Sequence, residues 1–340
     1  MDQQHIKAVR QALQEIGIIN FFSTIITRED VTLSKPHHEG WKHFPQAQTD
    51  HTSVLFVGDS INDQLAAQAM HVDYFQLNHF KLTSSKPVKR LAIRTRRGRQ
   101  LIALLNQPTG NGPFPLVILL HGMTGWKEEE HLATLAEDLA SRGIAALRFD
   151  APGSGESEGT WAQDYRVSYY LEAAKDVRQF ATDHLPTDAA RVGIWGHSMG
   201  GLITLTLASQ IQFAAVCGCE LSSGASTVLS GGVDEWHRTG WKKMKTEHFS
   251  TIELPYDYYL DRSKFNGLAS IKDIHAPILL IAGNRDKLVS AESVHRLYAA
   301  ANQPKELCEF PIGHHFKRYP EQLDTVNKAT VDYFASHLRP

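Results

Sequence analysis

The sequence has few cysteines and little net charge: 3 of its 340 residues are cysteine, and the formal charge is −2 at pH 7. Three cysteines cannot form a disulfide framework, so we expect buried thiols in a reducing compartment. Because positive and negative residues nearly balance, the chain creates no long-range field that would attract nucleic acid or an anionic membrane. We therefore expect neither as a partner.

Long apolar runs and internal repeats are also missing. No run approaches the roughly 20 apolar residues that a membrane-spanning helix needs. The first apolar stretch, residues 16–26, lacks a basic lead-in and a small-residue cleavage site. No repeat of about 20 to 50 residues is visible, which excludes a solenoid. With 42% hydrophobic residues the chain can bury a sizeable core, and we expect a globular, cytoplasmic protein.

The composition changes between residues 78 and 99, where lysine and arginine occur without any acidic residue. Charge runs of this kind are usually solvated, so we interpret this one as a linker and hairpin without a function. We place the domain boundary here. Residues 1–80 form an N-terminal segment, residues 81–90 a linker, and residues 91–340 the larger domain.

In the larger domain, continuous apolar runs of strand length alternate with segments of helix length. The strand-like runs include residues 115–120, 144–149, 191–195, 213–221, 277–282 and 305–310, and the helix-like segments include residues 128–141, 164–184, 202–210, 291–302 and 321–338. Apolar strands separated by helices predict an α/β fold with a mostly parallel central sheet and helices on both faces.

The chemistry is concentrated in residues 196–201, GHSMGG. This motif follows the strand-like run RVGIW and opens the helix-forming run LITLTLASQ, which is the strand-turn-helix setting of a G-x-S-x-G nucleophile elbow. Such a turn holds the serine in a strained backbone conformation, so Gly196 and Gly200 must lack side chains where neighbouring backbone passes. The motif predicts that Ser198 is a nucleophile.

A serine hydroxyl is a poor nucleophile at neutral pH, so the site needs a base and an acid that orients the base. Asp286 follows the apolar run PILLIAG, and two adjacent histidines, His314 and His315, follow the run ELCEFPIG. Both positions fall just past the carboxyl end of an expected strand. Glu220, at the end of the run AAVCGC, is an alternative acid.

The order of Ser198, Asp286 and His314 along the chain resembles that of the α/β-hydrolase superfamily. Two further segments extend this resemblance. Residues 121–125, HGMTG, follow the run LVILL and are similar to that family's oxyanion loop, and residues 149–159, FDAPGSGESEG, are similar to its glycine-rich loop. The larger domain thus looks like a serine esterase with an α/β-hydrolase fold.

This resemblance covers residues 87–340 and implies several site residues. The backbone N–H groups of Met123 and Met199 would form the oxyanion hole. No cofactor is implied. No metal site is expected either, because the 18 histidines show no Cys/His zinc spacing.

The resemblance also bears on the two open choices. Family members commonly place an apolar residue two positions after the catalytic histidine, as Phe316 stands to His314, so we favour His314 over His315 as the base. We favour Asp286 over Glu220 as the acid.

Residues 222–275 lie where the hydrolase scaffold expects a helix and connections, and we interpret them as a small cap. The segment is rich in aromatic residues: Trp236, Trp241, Phe249, Tyr256, Tyr258, Tyr259 and Phe265. These side chains either pack the cap on the domain or line an acyl or aryl pocket. Trp126 and Trp161, on loops expected at the same face, are candidate substrate-binding residues.

Residues 1–80 resemble the C-terminal half of a haloacid dehalogenase-like phosphatase core. The resemblance rests on FFSTIIT ending in Thr27, on SKP with Lys35, and on VLFVGDSINDQLAAQA with Asp59 and Asp63. In that family the threonine binds phosphate, the lysine neutralises charge, and the aspartates help to hold Mg²⁺. The family's nucleophile motif, DxDxT, is not found before Thr27. We interpret the segment as a degenerate α/β half-domain that packs on the hydrolase or joins two chains in a homo-oligomer.

We therefore expect a serine carboxylesterase that hydrolyses small acyl or aryl esters through an acyl-enzyme intermediate. A thioesterase, an aminopeptidase or a C–C hydrolase could use the same residues on this fold. A bifunctional phosphatase and a non-catalytic scaffold are the alternatives outside this chemistry.

Overall fold

The computed structural model describes residues 55–58, 61–76, 88–221, 232–246 and 251–338, together with the isolated positions 14 and 24. The chain divides into two compact units. One comprises Met1–Leu82 and Lys245–Thr251, and the other comprises Thr83–Met244 and Ile252–Pro340. Thr27, Lys35 and Asp59 of the phosphatase-like motifs lie outside the described residues, as does most of the predicted linker.

The described part of the first unit is a β–α–β arrangement. Strand β1 (Leu55–Gly58) and strand β2 (Asp73–Gln76) are parallel neighbours, and helix α1 (Ile61–Met70) connects them. Asp63 belongs to this helix. Parallel strands need such a crossover.

The second unit contains an eight-stranded sheet in the order β12-β11-β8-β7-β5-β6-β4-β3. Its strands, in chain order, are β3 (Val88–Arg94), β4 (Gln100–Asn106), β5 (Phe114–Leu120), β6 (Ala145–Phe149), β7 (Thr187–His197), β8 (Ala215–Cys219), β11 (Ile278–Gly283) and β12 (Lys305–Phe310). Strands β12 through β6 pair in parallel, and β4 pairs antiparallel with both β6 and β3. The prediction of a mostly parallel sheet is confirmed.

Helices cover this sheet on both faces. They are α2 (Glu130–Ser141), α3 (Val167–His184), α4 (Met199–Ala208), α8 (Ala291–Ala300) and α9 (Pro320–His337). On one face, alternate strand residues pack with α2 and α9 in a buried core that includes Val117, Leu119, Trp195, Leu135 and Phe334. The intervening strand residues, among them Leu116, Ile118 and Ile194, are buried as well. Side chains alternate between the faces of a strand, so this burial accounts for the continuous apolar runs in the sequence.

Element ends differ from the sequence-based expectation where side chains compete with the backbone. The helix expected from residue 164 begins at Val167. Asp164 remains outside it, because its carboxylate accepts hydrogen bonds from the Thr160 N–H at 3.0 Å and from Arg99 Nε at 2.7 Å. The strand expected over residues 191–195 is longer, Thr187–His197.

The described part of the basic run, residues 88–99, forms strand β3 and the turn of the antiparallel hairpin β3–β4, and residues 88–90 of the predicted linker are the start of β3. Its arginines face acidic side chains rather than solvent alone. The pairs are Arg90–Glu156 at 3.0 Å, Arg94–Glu158 at 3.7 Å, Arg96–Asp176 at 2.6 Å, Arg97–Glu172 at 3.1 Å and Arg99–Asp164 at 2.7 Å. Single exposed pairs contribute little to stability, so this set mainly fixes the position of the hairpin.

The predicted cap lies between β8 and β11 and is built from short elements. They are α5 (Val233–Thr239), β9 (Trp241–Met244), β10 (Ile252–Pro255), α6 (Tyr256–Arg262) and α7 (Gly267–Ser270), with β9 and β10 antiparallel. Trp236 and Tyr258 are buried, whereas Trp241 is 48% exposed. Across the described residues, no helix combines the length and the apolar character needed to cross a membrane.

Candidate active site

Ser198 occupies a strained turn between strand β7 and helix α4. Its backbone angles are φ 55° and ψ −115°, a conformation that L-residues rarely adopt. The two glycines around it are required sterically: a Cβ on Gly196 would overlap the backbone of Gly200, and a Cβ on Gly200 would come 2.7 Å from the His121 carbonyl oxygen and closer still to that of Leu120. The expected nucleophile elbow is therefore present in the backbone.

The structure brings Ser198, His314 and Asp286 together in one hydrogen-bonded line. The Ser198 hydroxyl donates to His314 Nε2 at 2.9 Å, and His314 Nδ1 donates to Asp286 Oδ2 at 2.7 Å. We infer these proton positions from the partners, since the carboxylate can only accept. The geometry lets the imidazole take the serine proton while the carboxylate fixes its tautomer.

Asp286 and His314 lie 88 and 116 positions after Ser198 in the sequence, and the sheet explains why they meet it. Asp286 follows β11 and His314 follows β12, and these strands are parallel neighbours with Gly283 opposite Phe310. Their loops therefore leave the same edge of the sheet as β7 does. Asp286 is held there by its second oxygen, Oδ1, which accepts hydrogen bonds from the N–H groups of Leu288 at 2.7 Å and Val289 at 2.8 Å.

The loop that carries Met123 runs beside the serine. A Cβ on Gly122 would lie 3.4 Å from Ser198 Cβ, and the N–H of Thr124 donates to the Tyr165 hydroxyl at 2.7 Å. Met199 is the first residue of helix α4. The first N–H groups of a helix have no partner within it, so this one is available to an anion near Ser198.

His121 anchors the same loop through both ring nitrogens. Its Nε2 accepts from the Ala151 N–H at 3.0 Å, so Nδ1 carries the proton and donates to the Gly122 carbonyl at 2.8 Å. Burial lowers the pKa of His121, which keeps the ring neutral for this double role. The sequence motif predicted the loop, but it did not predict these two hydrogen bonds of His121.

The alternatives left open by the sequence occupy nearby positions. His315 presents its ring edge to His314 at 5.7 Å between centroids, and burial lowers its pKa. Glu220 lies behind His314, with Oε2 4.0 Å from His314 Nδ1. The structure thus places His314 and Asp286 in the hydrogen-bonded line and leaves His315 and Glu220 beside it.

Glu220 is a buried carboxyl group without a hydrogen bond to either oxygen. Burial and the charge of Asp286 raise its pKa to about 9. The imidazole of His197 is its neighbour, with Nε2 3.4 Å from Glu220 Oε2, and burial holds the pKa of His197 well below its usual range. One ligand atom from each of His197, Glu220 and His314 lies within 4.8 Å of the other two, a spacing suited to a metal ion, although both ring nitrogens of His314 already bond to Asp286 and Ser198.

A second group of buried charges lies under the loop of Met123. The ammonium group of Lys127 is fully buried and bonds to Asp150 at 2.9 Å and to Glu156 at 2.5 Å. Burial by itself would lower the pKa of Lys127, but the charges and hydrogen bonds of Asp150 and Glu156 outweigh it and raise the value. No sequence motif predicts this cluster, because it forms only where two loops meet in the fold.

An ion pair connects the loop of Met123 to the loop of His314. Lys317 donates a short hydrogen bond to Glu129, and both side chains are largely buried. Glu129 immediately precedes helix α2, and its carboxylate packs so closely on Gly125 that a Cβ there would overlap it. The pair therefore links the glycine turn at residues 122–125 to the segment that follows His314.

The two candidate substrate-binding tryptophans are half-buried. Trp161 packs on Tyr165 at 4.3 Å between ring centroids, and Tyr165 stacks on Tyr258 of the predicted cap at 5.7 Å and 8°. The Tyr258 hydroxyl lies 3.1 Å from the sulfur of Met199. A continuous aromatic path therefore leads from Trp161 to the residue after Ser198. Trp126 lies at the other loop, with Lys127 Nζ 5.6 Å from its ring.

Two family models match the chain. Residues 115–215 match the model described as alpha/beta hydrolase fold, and residues 3–77 match the model described as haloacid dehalogenase-like hydrolase. The resemblances expected from the sequence are thereby confirmed for both parts of the chain.

Similar proteins are known for the larger unit. An uncharacterised protein of Mycobacterium tuberculosis is 27% identical over 235 residues, which covers 69% of this chain and 74% of that protein. Among solved structures, the alpha/beta hydrolase GrgF from Penicillium sp. has a TM-score of 0.66 at 17% identity, over 74% of this chain and 99% of the other. Est1E from Butyrivibrio proteoclasticus, with ferulic acid bound, has a TM-score of 0.60 at 22% identity, over 73% and 98%.

Proposed function

The larger unit of this chain has the α/β-hydrolase fold, and from this premise we propose that the protein is a serine carboxylesterase acting on small acyl or aryl esters. The observation that carries the proposal is the line of Ser198, His314 and Asp286, with distances of 2.9 Å and 2.7 Å between successive polar atoms. A hydroxyl, an imidazole and a carboxylate at hydrogen-bond distances are the parts that acyl transfer needs.

In the first step, the Ser198 oxygen attacks the ester carbonyl and His314 Nε2 takes the serine proton. Asp286 stabilises the resulting imidazolium, and the N–H groups of Met123 and Met199 stabilise the oxyanion. The imidazolium then gives its proton to the departing alcohol. Water activated by the same imidazole cleaves the acyl-enzyme and restores the serine.

The preference for small aryl or acyl groups is supported by Trp126 and Trp161, whose side chains are half-buried. Flat aromatic side chains suit flat or aliphatic acyl groups. Tyr165 and Tyr258 are buried and pack between Trp161 and the Met199 side chain, so they hold Trp161 in position. The structural similarity to Est1E, whose solved structure holds ferulic acid, agrees with this substrate class.

A panel of substrates tests the proposal against its nearest alternatives. Purified protein is given p-nitrophenyl esters of increasing acyl length, aryl esters, acyl thioesters and aminoacyl amides, and kcat/KM is measured for each. We expect the esters to give the highest values. A higher kcat/KM for thioesters or amides would overturn the carboxylesterase assignment.

The nucleophile is tested separately with a fluorophosphonate probe, which labels activated serines. We expect stoichiometric labelling of the intact protein and its loss in Ser198→Ala. A protein that neither reacts with the probe nor hydrolyses any member of the panel would overturn the enzymatic assignment altogether.

A further inference from the structure

The carboxyl group of Glu220 lies near the imidazole of His314. Glu220 follows strand β8 and has a positive φ of 47°, a backbone conformation that costs energy for a residue other than glycine. Its N–H donates to the Ile281 carbonyl at 2.8 Å, so the backbone is fixed between two strands. The carboxyl group then ends 4.0 Å from His314 Nδ1, which is only about 1 Å beyond hydrogen-bond distance.

The two carboxyl groups near His314 have opposite surroundings. Asp286 accepts two backbone hydrogen bonds and one from the imidazole, all of which favour its charged form. Neither oxygen of Glu220 accepts a hydrogen bond. Two carboxyl groups in one buried site divide into a charged and a neutral member. Glu220 is the neutral member, as its raised pKa of about 9 indicates.

The groups that face Glu220 come from every strand around it. They are His197 from β7, Cys219 from β8, Asp286 after β11 and His314 after β12. Gly283 closes the remaining side, because a Cβ there would overlap Glu220 Oε1. His197 is the neighbour at 3.4 Å, and a neutral imidazole there can accept the proton of a neutral carboxyl group.

From this juxtaposition we propose that Glu220 is a reserve acid: a positioning residue that takes over the orientation of His314 when Asp286 is removed. The proposal rests on the function proposed above. Burial and the charge of Asp286 together keep Glu220 neutral. Loss of the Asp286 carboxylate removes its repulsion, and the imidazolium that forms at His314 during the reaction then favours the charged form of Glu220 over the effect of burial, so Glu220 releases its proton to water. The resulting carboxylate moves by about 1 Å and accepts the hydrogen bond from His314 Nδ1.

The test is a double-mutant cycle on ester hydrolysis in the full chain. Asp286→Ala alone should lower kcat about 100-fold, which is less than the roughly 10⁴-fold fall that follows loss of the acid in other serine hydrolases. Glu220→Gln should cost about threefold in the intact protein and about 100-fold in the Asp286→Ala background. Glu306→Gln, a substitution of an exposed carboxyl group on β12, is the matched control and should leave kcat unchanged in both backgrounds.

Two further readouts separate an orienting acid from a merely structural one. Asp286→Asn fills the space that Glu220 would enter, so it should be less active than Asp286→Ala. A carboxylate near the imidazole stabilises the imidazolium and so raises the pKa of His314. The fall of kcat/KM on the acid side of its pH profile should therefore occur at higher pH in Asp286→Ala than in Asp286→Ala/Glu220→Gln. Far-UV circular dichroism and thermal unfolding establish that each variant is folded.

Equal activity of Asp286→Ala with and without Glu220→Gln would overturn the proposal. So would an Asp286→Ala variant no more active than Ser198→Ala. Failure of the intact protein to hydrolyse esters would instead overturn the proposed function, so the two failures are distinguishable.

Discussion

Two clusters of ionisable groups lie in loops that follow parallel strands of the same sheet, and they differ in how completely their hydrogen bonds are satisfied. Asp150, after β6, accepts hydrogen bonds from the Lys127 N–H at 2.7 Å, from Lys127 Nζ at 2.9 Å and from the Glu156 N–H at 2.9 Å. Around Ser198, by contrast, Glu220 and His197 Nε2 have no hydrogen-bond partner, and Ser198 itself has a strained backbone.

The difference separates a structural site from a chemical one. A buried charge cluster with every group paired resists change, and its loss is felt as stability. Unsatisfied buried groups and strained backbone cost free energy that the rest of the fold must offset, and such costs persist mainly at functional sites. The contrast predicts that substitutions in the Ser198 cluster reduce activity, whereas those in the Lys127 cluster reduce stability.

The largest expected effect is on activity. Ser198→Ala removes one partly exposed oxygen, so we expect kcat for ester hydrolysis to fall about 10⁴-fold or more while the melting temperature changes little. Steady-state kinetics and thermal unfolding measure the two quantities. Unchanged turnover would mean that another residue is the nucleophile and that the contrast between the clusters is misplaced.

The next prediction concerns the adjacent histidines. His314→Ala should be about as damaging as Ser198→Ala, because His314 Nε2 is the atom within 2.9 Å of the serine oxygen. His315→Ala is the matched control and should retain activity within about tenfold, since its ring only borders that of His314. The opposite ranking would move the general base by one residue.

This pair of histidines also shows how much of the candidate site could be predicted from the sequence. Chain order and the spacing of Phe316 from His314 led to the histidine that the structure hydrogen-bonds to Ser198. The elbow glycines and the parallel sheet could also be predicted from the sequence, because local motifs and apolar periodicity are short-range signals.

The remaining features depend on loops that meet only in the fold. Nothing in the string GWKEEE marks Lys127 as fully buried, because its partners Asp150 and Glu156 lie 23 and 29 residues later. Glu220 was an acid of uncertain role until its burial and its distance from His314 were known. Element ends were likewise set by tertiary contacts such as that of Asp164 with Arg99.

In the Lys127 cluster, formed by Lys127, Asp150 and Glu156, we expect substitutions to reduce stability. Lys127→Met removes the buried ammonium group and leaves the buried Asp150 without its cationic partner, so we expect a loss of about 3 to 5 kcal/mol in the free energy of unfolding. Chemical denaturation measures it. Lys328→Met, at an exposed pair on α9, is the control and should change stability by less than about 1 kcal/mol. Comparable losses in both variants would contradict the assignment of the Lys127 cluster as structural.

The neutral state of Glu220 predicts a pH dependence of stability. Its folded pKa of about 9 is above the ordinary value of 4.5, so the folded state binds a proton that the unfolded state has lost. Stability should therefore fall as pH rises between these values, by about 4 kcal/mol from pH 5 to pH 8 for this group. Glu220→Gln removes the titrating group, so unfolding of this variant should depend less on pH than that of the intact protein. Parallel pH dependences for the two proteins would show that Glu220 is charged at neutral pH.

The smallest expected effect tests the ion pair between two loops of the candidate active site. The Glu129–Lys317 pair links the glycine turn beside Ser198 to the segment after His314. Glu129→Gln should lower kcat by about tenfold with little change in KM, because it loosens the loop that carries the Met123 N–H without touching the substrate. Lys317→Met takes a positive charge away from the buried Glu129 carboxylate beside the glycine turn and should be worse, by about 30-fold. Removing both charges in Glu129→Gln/Lys317→Met should restore activity above that of Lys317→Met alone. If the double variant is instead as poor as the product of the two single losses, the two residues act independently, and the loops are held by something other than this ion pair.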